Sequence, residues 1–285
     1  MALSPTRVSP ARSSVRPSAG TPVPSPASRP GTTLPGGTAN RGRVARVGNT
    51  VRRPAAPCQR ATHALLAHLN AVGFDGAPRV LAADSTTETL TFMEGDAAVP
   101  PLCGETLTDT ALISVADLLG RYHRAAASFD PHGYRWPKQV PQQFRTALVS
   151  HNDVWPANVV FSAGRAVALI DFDLAGPGCA EWDFAAAARS WVPLTRDADI
   201  DDCRQGRVME RFRLFLDATG LPRAERRRVA QAVVPNHDWM IEIIIESAAA
   251  GHSAFADVWR AVAEPAAHAR EWCWQHQRDL LAAAG

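Results

Sequence analysis

Residues 151–173 read H-N-D-V-W-P-A-N-V-V-F-S-A-G-R-A-V-A-L-I-D-F-D. Two apolar runs separated by turn residues at 162–164 predict a short β-hairpin in this stretch. Asp153 and Asn158 precede the first predicted strand, and Asp171 follows the second. Because a hairpin returns the chain to its starting end, the sequence predicts that these three oxygen-bearing side chains converge.

This combination of side chains suits phosphoryl transfer. Carboxylate and amide oxygens are hard ligands for Mg²⁺, which proteins hold with one or two carboxylates together with substrate phosphates. Asn158 and Asp171 are therefore the candidate metal ligands, and Asp153 is the candidate acceptor of a hydroxyl proton. A chance match is the alternative, because Asn and Asp also serve ordinary turns. The hairpin and the second carboxylate favour the catalytic interpretation.

The stretch resembles the catalytic and metal-binding loops of the aminoglycoside phosphotransferase family. That pattern is H-x-D, four residues and N, followed by a hairpin and I-D-[FW], and His151, Asp153, Asn158 and Asp171 match it in order. The resemblance implies an α+β, two-lobed protein-kinase-like fold with a small antiparallel β-rich N-lobe and a mainly helical C-lobe. It also implies Mg²⁺ as cofactor and ATP or GTP as co-substrate.

Composition and the resemblance together predict the domain limits. Residues 1–33 are rich in Ser, Pro and Arg and poor in large apolar side chains, which predicts a disordered extension. Residues 34–96 are expected to form the nucleotide-binding N-lobe. Residues 97–285 are expected to form the helical lobe that carries catalysis and substrate binding.

Two glycines open the predicted N-lobe. Gly36 and Gly37 precede an alternating segment, and a glycine turn at this place could lie over nucleotide phosphates. An ordinary turn is the alternative. At the other end of the lobe, residues 92–96 (F-M-E-G-D) resemble the family's hinge, so Met93 and Glu94 are expected to meet adenine. A simple exit from a strand is the alternative there.

The family's phosphate-gripping lysine has no lysine counterpart here. The corresponding strand offers Arg52 and Arg53, and an arginine can hold phosphate through its planar fork. Arg52 is the expected phosphate contact, with Arg53 on the opposite face by strand alternation. The helix predicted over residues 59–72 contains no acidic partner. This departure motivates the alternative of a nucleotide-binding pseudokinase with a regulatory or scaffolding role.

The C-lobe offers further candidates. By resemblance, Asp183 in a W-D dipeptide anchors the backbone of the catalytic loop, and His151 braces the same loop. An ordinary aspartate in a first helical turn is the alternative for Asp183. Asp238 and Glu242 share one helix face and could receive ammonium groups of a substrate. A solvent-exposed helix face without a binding role is the alternative.

Apolar periodicity predicts the helices of the C-lobe. Their expected limits are 109–127, 142–149, 199–219, 222–234, 237–250 and 253–283.

Charge and cysteine content limit the function classes. Ten of the 30 basic residues precede Asp75, whereas none of the 28 acidic residues does. Five scattered cysteines without a C-x-x-C pair and no long apolar run predict a cytoplasmic protein without a membrane partner. Nucleic acid is an unlikely partner because no binding module is recognised. We therefore expect a phosphotransferase whose partners are a nucleotide and a small-molecule hydroxyl substrate.

Overall fold

The computed structural model describes residues 31–34, 38–40, 42–56, 58–102 and 104–285. Gly36 and Gly37, the predicted phosphate-loop glycines, lie outside the described residues, as do residues 1–30 of the predicted disordered extension. The predicted limit of that extension at residue 33 is wrong, because Thr32 and Thr33 pair with the sheet of the N-lobe. Within the described part, an antiparallel sheet is followed by a β-hairpin and by helices.

The N-lobe is built around a five-stranded antiparallel sheet of order β1-β2-β3-β5-β4. Its strands are β1 (Thr32–Thr33), β2 (Ala45–Val47), β3 (Thr50–Pro54), β4 (Val80–Ala83) and β5 (Thr87–Thr91). Gly48, in the turn between β2 and β3, has a φ of 62°, a left-handed conformation that favours glycine. Helix α1 (Gln59–Ala71) follows β3 and buries Leu65 and Leu69 completely.

Short strands frame the stretch that contains Asp153. They are β6 (Asp96–Ala97), β7 (Val149–Ser150), β8 (Val159–Ser162), β9 (Arg165–Leu169) and β10 (Gly176–Pro177). The strands β8 and β9 form the predicted hairpin, and β6 adds to its outer edge. The strands β7 and β10 pair antiparallel on either side of it. Through its pairing with β6, the hairpin is joined to the segment that leaves the N-lobe. The loops before β8 and after β9 lie at one end of this hairpin.

Helices form the rest of the C-lobe. They are α2 (Asp109–Ala126), α3 (Ala180–Trp191), α4 (Val208–Ala218), α5 (Arg223–Ala249), α6 (Ser253–Gln275) and α7 (Gln277–Ala283). The hydroxyl of Thr108 accepts a hydrogen bond from the Ala111 N–H and caps α2. Leu112 and Leu119 of α2 are fully buried, and each such side chain contributes about 2 kcal/mol by leaving water.

The sequence predicts a helix over residues 142–149, and this prediction is wrong. A 3-10 turn at Gln142–Phe144 is followed by extended chain that enters β7. Thr146 donates its N–H to the carbonyl of Gly178 at 2.9 Å. The backbone therefore pairs with the segment before α3 instead of with its own preceding turn.

The sequence also predicts a break between helices at 222–234 and 237–250, whereas α5 is continuous. Pro235 lies inside α5, where its missing N–H removes one hydrogen bond of the ladder. Its ring still fits the helical φ, and buried residues on both sides, among them Trp239, hold the helix in place. Packing therefore outweighs the local signal for a break.

Two other helix limits differ from prediction. The helix predicted at 199–219 begins at Val208, because Asp202 organises a turn by accepting bonds from the N–H and guanidinium two residues later. The helix predicted at 253–283 is divided at His276 into α6 and α7. The antiparallel sheet and the helical C-lobe confirm the predicted α+β, two-lobed fold. No helix in the described ranges is long and apolar enough to cross a membrane.

Candidate active site

We name residues 151–158, the segment between β7 and β8, the Asp153 loop. Helix α3 holds the backbone of this loop. Asp183 in the first turn of α3 is fully buried. Its Oδ2 accepts the N–H of His151 at 2.8 Å, and its Oδ1 accepts the N–H of Asn152 at 2.7 Å. These two bonds fix the backbone where Asn152 takes a positive φ of 68°.

Two buried histidines complete this support. His123 of α2 places Nε2 2.9 Å from Oδ2 of Asp183. His151 accepts the N–H of Asp153 on Nδ1 at 3.3 Å and places Nε2 3.0 Å from the carbonyl of Ile170. Burial lowers the pKa of His151, which keeps its ring neutral with the proton on Nε2. His151 therefore spans the loop and the end of the hairpin, and its ring atoms are already engaged.

The Asp153 carboxylate is positioned by Asn158. The amide Nδ2 of Asn158 donates to the backbone carbonyl of Asp153 at 3.0 Å and to its Oδ2 at 2.8 Å. No described group donates to Oδ1 of Asn158, so this oxygen is left for a ligand. The carbonyl of Asn158 accepts the N–H of Ile170 at 2.9 Å, which brings the next residue, Asp171, to the same end of the hairpin. Asp171 itself has a positive φ of 62°.

Negative charge is concentrated at this end of the hairpin. Burial, and secondly the charge of Asp171, raise the pKa of Asp153 to about 7, although Asn158 and Arg189 act in the opposite direction. Burial and Asp171 likewise raise the pKa of Asp173 to about 7, against the effect of Arg53. Because the charge of Asp171 raises the pKa of both neighbouring carboxyl groups, this end of the hairpin favours a bound cation.

Arg53 of β3 connects the N-lobe sheet to this cluster. Its Nη1 donates to Oδ1 of Asp171 at 2.9 Å, and its Nη2 donates to Oδ1 of Asp173 at 2.5 Å. Its Nε donates to Oε1 of Glu88 at 2.6 Å. Burial opposes the charge of Arg53, but the three carboxylates more than offset burial and raise its pKa. Arg53 is therefore a buried, permanently charged group facing the Asp153 loop.

The placement of Arg52 corrects the sequence analysis. Alternation along β3 holds, but its direction is the reverse of that expected: Arg52 is exposed and Arg53 faces inward. The missing carboxylate partner comes from strand β5, where Glu88 lies directly opposite Arg53 in the register. His63 of α1 places Nε2 2.5 Å from Oε2 of Glu88, so the helix contacts the carboxylate partner of Arg53.

The two predicted hinge residues lie between β5 and β6. Glu94 is exposed, and its Oε1 is 3.3 Å from Nη2 of Arg46. Met93 is half-buried. A cavity of about 430 Å³ begins just beyond them at Gly95 and is bounded by the turn of the hairpin. Its lining includes neither Asp153 nor Asp171, so it lies outside the carboxylate cluster.

The two predicted substrate-binding acids of α5 line a second cavity, of about 390 Å³. Asp238 is paired with Arg270, whose Nη2 is 3.2 Å from Oδ2. Glu242 lies 3.4 Å from the ammonium group of Lys138. The other residues that line the cavity are Pro141, Val234, Pro235 and Trp239. Its negative charge is therefore largely balanced within the chain.

The donor set at the hairpin fits a divalent cation shared with a ligand. Within the described residues, no group of three or more His, Cys, Asp and Glu side chains is arranged as a complete metal site. Asp171 and the free oxygen of Asn158 supply hard oxygen donors from the protein. Such a partial set is the arrangement expected where phosphates complete the coordination of Mg²⁺.

Sequence comparisons identify relatives of the chain. Residues 134–215 match the model of the phosphotransferase enzyme family. The chain is 33% identical over 192 residues to the trifolitoxin immunity protein of Rhizobium leguminosarum bv. trifolii, covering 64% of this chain and 72% of that protein.

Solved structures of similar fold agree with the two-lobed, protein-kinase-like fold described above. A choline/ethanolamine kinase family protein from Mesorhizobium loti superposes with a TM-score of 0.57 at 16% identity, over 90% of this chain and 92% of the other. Aminoglycoside 2'-phosphotransferase-IIIa in its GDP complex gives 0.56 at 13% identity, over 87% and 92%. Amicoumacin kinase, in complex with AMP-PNP and Ca²⁺, gives 0.54 at 13% identity, over 78% and 81%. The chain belongs to the aminoglycoside phosphotransferase family and is a small-molecule phosphotransferase enzyme.

Proposed function

We propose that the chain transfers the terminal phosphate of ATP or GTP to a hydroxyl group of a small molecule with the help of Mg²⁺. One observation carries this proposal: Asn158 orients the Asp153 carboxylate through a 2.8 Å bond at the end of the hairpin where Asp171 also lies. A proton acceptor and a metal-binding group thereby share one site.

In the proposed step, the acceptor hydroxyl oxygen forms a bond to the terminal phosphorus, and the bond from that phosphorus to the bridging oxygen breaks. The hydroxyl proton passes to a carboxylate oxygen of Asp153, and the nucleoside diphosphate leaves with the electron pair. A pKa of about 7 suits this role, because a base whose pKa is near the working pH both exists in its basic form and accepts the proton well.

Asn158 and Asp171 are the proposed metal ligands. A bound Mg²⁺ would neutralise the phosphate charge that opposes attack by the hydroxyl oxygen. The free oxygen of Asn158 and the crowding of carboxylates around Asp171 support this assignment. Asp183 and His151 are proposed to hold the loop and to take no part in proton transfer.

Arg53 replaces Arg52 as the proposed phosphate contact. It is the inward-facing cation of β3, and its bonds to Asp171 and Asp173 bring it to the metal-binding end of the hairpin. Glu88 fixes its guanidinium as a carboxylate partner. The pseudokinase alternative was motivated by the absence of the family's lysine and of an acidic partner on the helix. The Arg53–Glu88 pair supplies a cation and a carboxylate in their place, so this argument for a pseudokinase no longer applies. Met93 and Glu94 remain the proposed adenine contacts, on their position alone.

The acceptor is proposed to lie between the Asp153 loop and α5, where Asp238 and Glu242 border a cavity. The relative named as a trifolitoxin immunity protein, together with the fold neighbours named as aminoglycoside and amicoumacin kinases, supports an acceptor of the antibiotic or toxin type.

The test is direct observation of transfer. Purified protein is incubated with ATP or GTP, Mg²⁺ and a panel of hydroxyl-bearing antibiotics and metabolites, and phosphorus NMR detects a new phosphate ester. We expect an ester that disappears with EDTA and with Asp171→Asn but persists with Asp201→Asn, a change at an exposed aspartate. If the protein binds nucleotide but no acceptor yields a phosphate ester, the result would instead support the pseudokinase alternative.

A further inference from the structure

Trp155 is a large aromatic side chain exposed within the Asp153 loop. It lies two residues after Asp153, and 47% of its surface is accessible. Within the described residues, no aromatic ring stacks on its indole and no group bonds to its ring nitrogen. An indole without a partner, two residues from the proposed proton acceptor, is available to stack on a ligand bound there.

The burial pattern of the loop leaves both Asp153 and Trp155 accessible, on either side of a buried residue. Val154 between them is buried, with 1% of its surface exposed, and its carbonyl accepts the indole N–H of Trp191 at 3.2 Å. Trp155 has extended dihedral angles, with φ −69° and ψ 147°. Asp153 is half-buried and Trp155 is exposed, so the two residues that flank the buried Val154 are the ones that a ligand can reach.

The backbone at Trp155 is also fixed. Its carbonyl accepts the N–H of Asn158 at 2.8 Å, and Pro156 restricts the backbone of Trp155, the residue before it. The same Asn158 holds the carboxylate of Asp153. The indole and the proton acceptor are therefore attached to one rigid turn, as a specificity surface next to a reacting group requires.

The charges of the α5 cavity argue against a polycationic acceptor. Asp238 and Glu242, the acids that could receive ammonium groups, are paired with Arg270 and Lys138. Binding a polycation there would require these internal pairs to break. Trp155 offers instead a flat apolar face, with which planar apolar groups stack favourably.

We propose that Trp155 is a specificity-determining residue that binds the acceptor through a flat, apolar or aromatic face and presents its hydroxyl to Asp153. The inference rests on the proposed function, and it names an uncharged, planar-faced alcohol as the substrate class in preference to a polycationic aminoglycoside.

The experiment compares acceptors and variants. The acceptors are uncharged alcohols with an aromatic ring (chloramphenicol and thiamphenicol) and polycationic aminoglycosides (kanamycin and streptomycin). The variants are Trp155→Ala, Trp155→Phe and the control Trp274→Ala, which removes another exposed tryptophan, on α6. For each protein the acceptor KM, kcat and nucleotide Kd are measured, and circular dichroism checks the fold.

We expect transfer to the planar-faced alcohols. Trp155→Ala should raise their KM about tenfold with a smaller change in kcat, whereas Trp155→Phe should stay within about threefold because it keeps a stacking ring. Nucleotide Kd should not change, and Trp274→Ala should match the parent protein. A preference for aminoglycosides, or an unchanged KM in Trp155→Ala, would overturn the inference while leaving phosphotransfer intact. Absence of transfer to every acceptor would reject the proposed function itself, and this inference with it.

Discussion

Arg53 of β3 and Asp171 at the end of the hairpin are joined by a 2.9 Å hydrogen bond between Nη1 and Oδ1. The bond links the N-lobe sheet to the proposed metal-binding carboxylate of the C-lobe. Because Glu88 holds the opposite side of the same guanidinium, the position of Arg53 is set by two neighbouring strands. Helix α1 contributes through the contact of His63 with Glu88.

Replacing Arg53 should weaken nucleotide binding. Arg53→Ala removes the inward cation, and we expect the nucleotide Kd to rise at least about tenfold, since a charged hydrogen bond is lost. The matched control is Arg52→Ala, which removes an exposed arginine from the same strand and should change Kd less than about twofold. Calorimetric titration with a non-hydrolysable nucleotide measures both. Equal effects of the two substitutions would contradict the assignment of Arg53.

Glu88 should matter for stability as well as for binding. Glu88→Ala leaves the Arg53 guanidinium buried without its most buried carboxylate partner, and breaking a buried pair in this way costs about 3 kcal/mol. Asp171 and Asp173 still contact the arginine and should moderate the loss. Urea unfolding compares this variant with Glu94→Ala, where the side chain is 72% exposed and little change is expected. If both variants unfold alike, Glu88 does not fix Arg53.

Asp183 should control the geometry of the Asp153 loop. Asp183→Asn keeps the size of the side chain but replaces one accepting oxygen with a donor, which then faces a backbone N–H of the loop. A misplacement of about 1 Å at a reacting group can reduce turnover about 100-fold. We expect kcat to fall by about that factor with little change in nucleotide Kd. Asp117→Asn, at an exposed aspartate of α2, is the control and should retain full turnover.

The pKa of Asp153 predicts a pH dependence of stability. Its folded-state pKa of about 7 lies above the unfolded value of about 3.9, so the folded protein holds the extra proton between these values. The contribution of Asp153 to the free energy of unfolding is therefore favourable at low pH and falls as pH rises from about 4 to about 7, by up to about 1.4 kcal/mol per pH unit.

Asp153→Asn lacks this titration. In metal-free and nucleotide-free buffer, its Tm minus that of the parent protein should increase across the same pH window and level off above it. Asp201→Asn, at an exposed carboxylate, should show no such trend. A difference in Tm that is flat with pH would mean that Asp153 titrates normally in the folded protein.

The part of the site that is local in sequence could be predicted, and the part assembled across strands could not. Asp153 and Asn158 precede one short hairpin and Asp171 follows it, so the motif predicts that the three side chains converge. The choice between Arg52 and Arg53 depends on which face of β3 meets the C-lobe, and alternation alone does not specify it. Glu88 joins the site through cross-strand register, which is set by packing.

The same distinction holds for the fold. The antiparallel sheet follows from the family resemblance, and helix α2 follows from its apolar periodicity. Pro235 signals a break that the packing of α5 overrides, and residues 142–149 contain no turn residue that reveals their pairing with the segment before α3.

The most direct test of the account is single-turnover phosphotransfer by Asp153→Asn. The substitution keeps the shape and an accepting oxygen for Asn158 but removes the base. With a phosphorylated acceptor identified, we predict a fall in the transfer rate of at least about 100-fold, the low end of the contribution of a positioned general base, at unchanged nucleotide Kd. Transfer at the parental rate with a folded variant would contradict the role of Asp153 and the account built on it.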